Sequence, residues 1–382
     1  MHLLVFLLLF SPLTFAQLNP GSGAIPLCNE NTFQNDPPTD PGTYTYDCVD
    51  VVITNTLTSP LTNNVFNLPL TIRATGSVSI DGSILLQGTD GNGDSSGGPG
   101  GGAGGVFFFS GAPGEPTFPG PPFPEPPPQG GENPSQSASC SIGEAEGSGG
   151  GGGSLLTLGD NGKDGIYFTG DGTVELGGLG GGTLYSLDLN SFISAGAGGG
   201  SGEAGCSTGT PVDASNGGGG GGGMRIISAG DITITGTINV SGGNGGSSTT
   251  LGGGGGGGSG GIIVLQSLSK INLNSTLLAL GGQGGTNSTP GDGGNGGNGA
   301  PGYIYLEDVD GIKTYTGSFT PPSPTSSKQS LNSDISCGTI AKAEESHSTS
   351  LMLMAMGFLL VLGTKILFQF PMKLSRKFVH RN

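Results

Sequence analysis

The feature that most limits the fold is a junction the chain repeats: a glycine tract running straight into a short apolar run. In "LGGGGGGGSGGIIVLQ", Leu251 to Gln266, seven glycines, a serine and two more glycines lead directly into Ile262, Ile263, Val264 and Leu265. Glycine loses more conformational freedom on ordering than any other residue, whereas β-branched residues suit a pleated surface. A flexible glycine linker is polar throughout. Here the tracts are interrupted by apolar runs, so disorder does not describe the whole chain, despite 82 Gly and 26 Pro in 382 residues.

The apolar runs recur. "VSIDGSILLQG" begins at Val78, "LDLNSFISAGA" at Leu187, "ITITGTINVSG" at Ile232 and "INLNSTLLALG" at Ile271. Each reads as two short strands of period two joined by a tight turn at Gly82, Ser191, Gly236 or Ser275. A third run follows each, entered from glycine: "VFFFSG", "MRIISAG", "IIVLQS" and "YIYLED". Ile232 to Ile271 sets a period of 39 residues. Strand, turn, strand, long glycine loop, strand predicts an all-β fold, a parallel β-helix solenoid with rungs about 4.8 Å apart. Its inward columns are expected to be Ile80, Leu189, Ile234 and Leu273, and Ile84, Ile193, Ile238 and Leu277. The long Gly-rich loops either stay mobile or pack against each other as polyproline II strands, since glycine lets backbones approach closely.

Around this repeat region, 76–316, the chain divides by composition. Residues 1–16 read as a signal peptide, with an apolar stretch from Leu3 to Phe10 and Ala16 before the cleavage point. Residues 17–75 read as an N-terminal cap that covers the apolar end of the repeat. A Pro-rich insertion, 111–139, leaves the repeat, because proline does not fit a central strand. Residues 317–350 form a Ser/Thr/Pro-rich stalk. The segment 351–370 is apolar and about one hydrocarbon thickness long as a helix. It predicts one C-terminal transmembrane helix, with 371–382 as a basic cytosolic tail. The expected localisation is therefore exported, at the cell surface, single-pass and with the N-terminus outside.

Charge separates at the same boundary. All 28 Asp and Glu and seven Lys or Arg precede Leu351, giving 7 − 28 = −21, against +5 beyond it. Such an acidic exterior disfavours nucleic acid as a partner. It points to an extracellular protein or glycan surface, with the membrane contacted through the C-terminal helix.

The five cysteines lie outside both apolar segments. In an exported chain they are expected to pair. Cys28 with Cys48 and Cys140 with Cys206 are the disulfide candidates, leaving Cys337, although spacing leaves other connectivities open. His2, His347 and His380 all fall outside the repeat region, so no Ser-His-Asp triad or His-based metal site is expected there. Asp81, Asp188 and Asp231 lie beside strands without forming the carboxylate pair a glycosidase needs. No enzyme and no cofactor are predicted. The best metal-like string is "DGNGD": Asp90, Asn92 and Asp94 have half of an EF-hand spacing and are a weak Ca²⁺ candidate. Sequons occur at Asn239, Asn274 and Asn287.

The stretch "GGGGGGGSGGIIVLQSLSKINLNSTLLALGGQGG" resembles the glycine-rich parallel β-helix, adhesin-like surface proteins of Gram-negative bacteria. The resemblance spans about Thr71 to Thr316 and implies adhesion or envelope structure. The chain departs from the large secreted members in its few rungs and its C-terminal apolar segment. The expected function is a membrane-anchored, non-catalytic surface protein presenting a rigid glycine-rich scaffold. Two alternatives are a polysaccharide-acting enzyme on the same scaffold and an ice- or surface-binding glycine bundle; against the latter stands the lack of a flat Thr array legible in the sequence.

Overall fold

Short apolar triplets flanked by glycine or turn residues become the strands. The computed structural model of the chain describes residues 19–59, 61, 64, 67–92, 95–106, 111–112, 129–132, 147–165, 176–181, 193–207, 210–287, 294–308 and 313–321. The N-terminal elements are β1 (Ile25–Cys28), α1 (Glu30–Asn35), β2 (Thr45–Ile53), β3 (Thr56–Thr58), β4 (Leu70–Ala74), β5 (Val78–Ile80) and β6 (Ser83–Leu85). There follow β7 (Gly205–Ser207), β8 (Thr210–Val212), β9 (Gly223–Ser228), β10 (Ile232–Ile234), β11 (Thr237–Asn239) and β12 (Ile262–Ser267). The last are β13 (Ile271–Leu273), β14 (Thr276–Leu278), β15 (Tyr303–Asp308), β16 (Lys313–Tyr315) and β17 (Ser318–Thr320).

The parallel β-helix expected from the repeat is corrected by the strand order. The strands form mostly parallel sheets that wrap into a nearly closed, barrel-like wall. The nine-residue β2 pairs along its first part with β4 (Thr45↔Thr71 to Cys48↔Ala74) and along its last part with β5 (Val51↔Val78 to Ile53↔Ile80). Two strand sets that a solenoid would keep on separate faces thus join in one ten-stranded sheet, in the order β15-β12-β9-β4-β2-β5-β10-β13-β16, with β1 on β2. A second sheet runs β17-β14-β11-β6-β3, and β7 and β8 form a small antiparallel pair. Stacking also departs from chain order. β10 lies directly on β5, Ile232 opposite Val78, which is 232 − 78 = 154 residues earlier. The unit beginning at Leu187 is therefore not a rung between them. Leu189 lies outside the described residues, and Ile193 packs with Leu155, Ile262 and Val264, away from Ile84 and Ile238.

The main core gathers Ile80, Ile234 and Leu273 with Ile84, Ile238 and Leu277, all buried. β12 is buried along its whole length, packing Ile263 and Leu265 inward and Ile262 and Val264 against the second cluster. A parallel strand covered on both faces reads as an unbroken apolar run, which accounts for "IIVL". At the N-terminal end, Asn29 caps α1 by accepting from Thr32 N (3.2 Å), while Thr32 Oγ1 accepts from Asn29 N (3.2 Å). The Cys28–Cys48 disulfide ties β1 to β2.

The glycine tracts are ordered through one another. Gly102 and Gly105 N–H donate to the Gly196 and Gly199 carbonyls (2.9 and 2.8 Å), and Gly217 and Gly220 donate to Gly105 and Gly102 (both 2.8 Å). Gly218 and Gly221 donate to Gly256 and Ser259, at 2.9 and 2.8 Å. Partners step by three residues on both tracts, in the same sense for some pairs and the opposite sense for others, which is the repeat of a polyproline II helix. Such helices have no internal hydrogen bonds, so neighbouring tracts satisfy the buried backbone. A Cβ on Gly258 would strike the Gly219 carbonyl oxygen, and one on Gly199 that of Gly256. Ser259 interrupts its tract for a reason. Its buried Oγ accepts from Ala197 N (2.8 Å) and donates to the Ser154 carbonyl (3.0 Å).

Among the described residues no helix is long and apolar enough to cross a membrane. The expected membrane helix at 351–370, the signal peptide and the stretch from 322 onward lie outside them, as does most of the Pro-rich insertion.

Candidate functional site

The second sheet carries a regular, repeating surface. Its triplets read "TLT", "SIL", "TIN", "TLL" and "SFT". Leu57, Ile84, Ile238 and Leu277 point into the core and Phe319 packs against it, so the flanking residues of each triplet face outward. Parallel in-register pairing aligns those residues into columns. Thr56, Ser83, Thr237, Thr276 and Ser318 form one column made wholly of hydroxyls. Thr58, Leu85, Asn239, Leu278 and Thr320 form the next. Ser318 Oγ and Thr276 Oγ1 are hydrogen-bonded at 3.3 Å.

The glycine tracts leaving these strands continue the pattern. "SGGNGGS" (241–247) and "LGGQGGT" (280–286) place a side chain at every third residue. Each polar side chain of the first tract takes up a backbone N–H of the second. Ser241 Oγ accepts from Leu280 N (3.1 Å), Asn244 Oδ1 from Gln283 N (2.9 Å) and Ser247 Oγ from Thr286 N (3.0 Å). On the other side, Asp90 Oδ1 accepts from Asn244 N (2.7 Å), and Asn239 Nδ2 donates to Gln87 Oε1 (2.9 Å). Asn244, Ser247, Gln283 and Thr286 stay exposed. Ser247 also borders an open cleft of about 490 Å³ lined with Asp213, Ser215, Ser248, Thr249 and Thr250.

The ladder residues were missed as a site in the sequence reading. The signal was available as X-Gly-Gly triplets, whose period of three matches polyproline II and keeps the non-glycine residues on one side. A flat Thr array is not present, but a single column of hydroxyls, three Thr and two Ser, is. It is hidden in sequence because its members sit in triplets from Thr56 to Ser318, with Ser in place of Thr at two of them.

The two columns hold no acidic or basic residue, and Asp90 is the carboxylate bonded to the tract beside them, on a chain of net charge −16. Several other described carboxylates are engaged elsewhere. Asp47 accepts from Arg73 Nε (2.6 Å), Arg73 Nη2 (2.9 Å) and Ser22 Oγ (3.0 Å). Asp231 accepts from Ser269 Oγ (2.6 Å) and lies 3.3 Å from Lys270 Nζ. The Ser269 hydrogen bond, then Lys270, hold its carboxyl below the usual range. Glu30 is lowered too, chiefly by the Asn55 side-chain amide. Burial pushes the Tyr44, Tyr46 and Tyr303 hydroxyls upward. Glu203 is buried in the glycine bundle, where it accepts from Ser148 Oγ at 2.7 Å.

Of the Ca²⁺ candidates, Asp90 is used as described and Asn92 is exposed, while Asp94 lies outside the described residues. No group of three or more His, Cys, Asp or Glu among the described residues is placed to hold a metal ion. Asp81 accepts from Thr235 Oγ1 (2.7 Å), and Asp188 is outside the description. Cys206 is disulfide-bonded; Cys140, its expected partner, is outside the described residues. Compared with known protein families, curated proteins and solved structures, the chain matches none.

Proposed function

We propose that this is a non-catalytic surface protein, exported and anchored through its C-terminal apolar segment, which presents a rigid glycine-packed scaffold for adhesion or envelope structure. The observation that carries this reading is the ladder face. It arranges neutral hydroxyl and amide groups in register on a wall whose backbone is already hydrogen-bonded, so contacting a partner requires little further ordering. The interlocked tracts and the Cys28–Cys48 disulfide add to that rigidity. The resemblance to bacterial surface proteins supports the same role.

Cells producing the full chain, compared with cells lacking it, should attach more strongly to a biotic or polymer surface. Mild protease applied to intact cells should release fragments of the 19–321 region. Equal attachment together with an unchanged envelope, or full protection from external protease, refutes the proposal. The all-hydroxyl column from Thr56 to Ser318 favours one second reading, binding to a crystalline surface such as ice, which thermal hysteresis measures.

A further inference from the structure

We infer that the ladder face binds an extended, uncharged polysaccharide laid across the strands. This rests on the surface role proposed above and names its ligand class. Three observations lead there. First, the columns hold no charged residue, with Asp90 bordering them through Asn244 N, although the chain carries −16 overall. A partner with formal charge would gain nothing from such a face, and a basic protein would find its attraction elsewhere on the molecule. Second, serine and threonine hydroxyls and asparagine and glutamine amides each donate and accept. Their natural complement is a partner whose groups also do both, which is the chemistry of sugar hydroxyls. Third, Leu85 and Leu278 stand in register within the second column, giving apolar patches between the polar groups. A sugar ring offers a matching alternation of hydroxyl edge and C–H face.

The spacing is that of a repeating ligand. Successive strands are about 4.8 Å apart, and outward residues within one triplet are about 6.6 Å apart. Along the tracts the side chains recur every three residues, about 9.3 Å in polyproline II geometry. Each contact is weak, so affinity comes from many contacts made at once by a polymer. Ice would demand side chains of even height. Here Gln283 and Leu280 stand beside Thr286 and Ser241, which makes the surface uneven and suits a chain with rings and substituents.

The test uses the purified full-length chain in pull-downs on insoluble cellulose, chitin and β-1,3-glucan particles. Retention on at least one glycan is expected. Replacing Thr237→Val together with Thr276→Val removes two neighbouring hydroxyls and keeps strand propensity. It should weaken retention at least about tenfold, whereas Thr237→Ser with Thr276→Ser restores it. Thr233→Val, on the other sheet, should leave retention unchanged, and circular dichroism checks that all variants fold. Unchanged retention in the double valine variant overturns the inference. So does an absence of retention on every glycan, or thermal hysteresis without glycan retention. In each of these cases the attachment assay on cells still decides the broader surface role separately.

Discussion

Gly258→Ala tests whether the tracts are a load-carrying bundle or loops that merely sit near each other. In the structure the new Cβ would collide with the Gly219 carbonyl oxygen and crowd the Gly218 carbonyl, both backbone atoms with no rotamer to yield. Gly258 N–H also donates to Gly243 (2.9 Å), and its carbonyl accepts from Gly282 N–H (2.8 Å). Overpacking a close-packed site costs about 1–3 kcal/mol. Disturbing two buried backbone hydrogen bonds adds about 1–2 kcal/mol each. Against this, alanine restricts the unfolded chain and returns about 0.4–1 kcal/mol. The net loss is about 2–6 kcal/mol, a fall in Tm on the order of 10 °C for a domain of this size. Gly42→Ala is the control. Its Cβ would meet only Asp40 Oδ1, at 3.4 Å, so the entropic gain stands alone and Tm should stay level or rise slightly. Calorimetry of the two variants beside wild type decides the matter. Equal Tm values would refute the argument, because they would mean that the tracts separate at no cost.

The remaining predictions concern the cap and the strand edges. Replacing Cys28 and Cys48 with serine releases a 20-residue closure and should cost about 3 kcal/mol on the chain-entropy model, read as a lower denaturant midpoint. Arg73→Ala leaves Asp47, largely buried, without its two guanidinium hydrogen bonds and should cost on the order of 3 kcal/mol by the same measurement. Asp231 has a folded pKa below its unfolded value. Its contribution is therefore present above the unfolded pKa, about 3.9, and lost as pH falls through the lowered folded value. Acid titration of Asp231→Asn should show a flatter loss of stability below about pH 4 than wild type; matching curves would remove Asp231 from the account.

Local sequence determined a good deal of this protein. Alternation in "ITITGTIN" and "INLNSTLL" set which side chains face inward, and the 39-residue spacing set Ile232 opposite Ile271. The two cysteines of the cap, 20 residues apart, were expected to pair and do. These features depend on neighbours along the chain, and a period of two or a short closure is legible there. Which strands are adjacent was decided only by the tertiary structure. β5 and β10 carry equivalent triplets and stack although 154 residues separate them, because closing a longer loop adds little entropy and the intervening glycine tracts bond to one another. The same stacking left Ile193 out of the column its sequence matched, let β2 join two strand sets into one barrel-like wall, and assembled hydroxyls from Thr56 to Ser318 into a single ladder. A residue's neighbours one layer away belong to distant segments, and the choice among such segments rests on packing that no local pattern encodes.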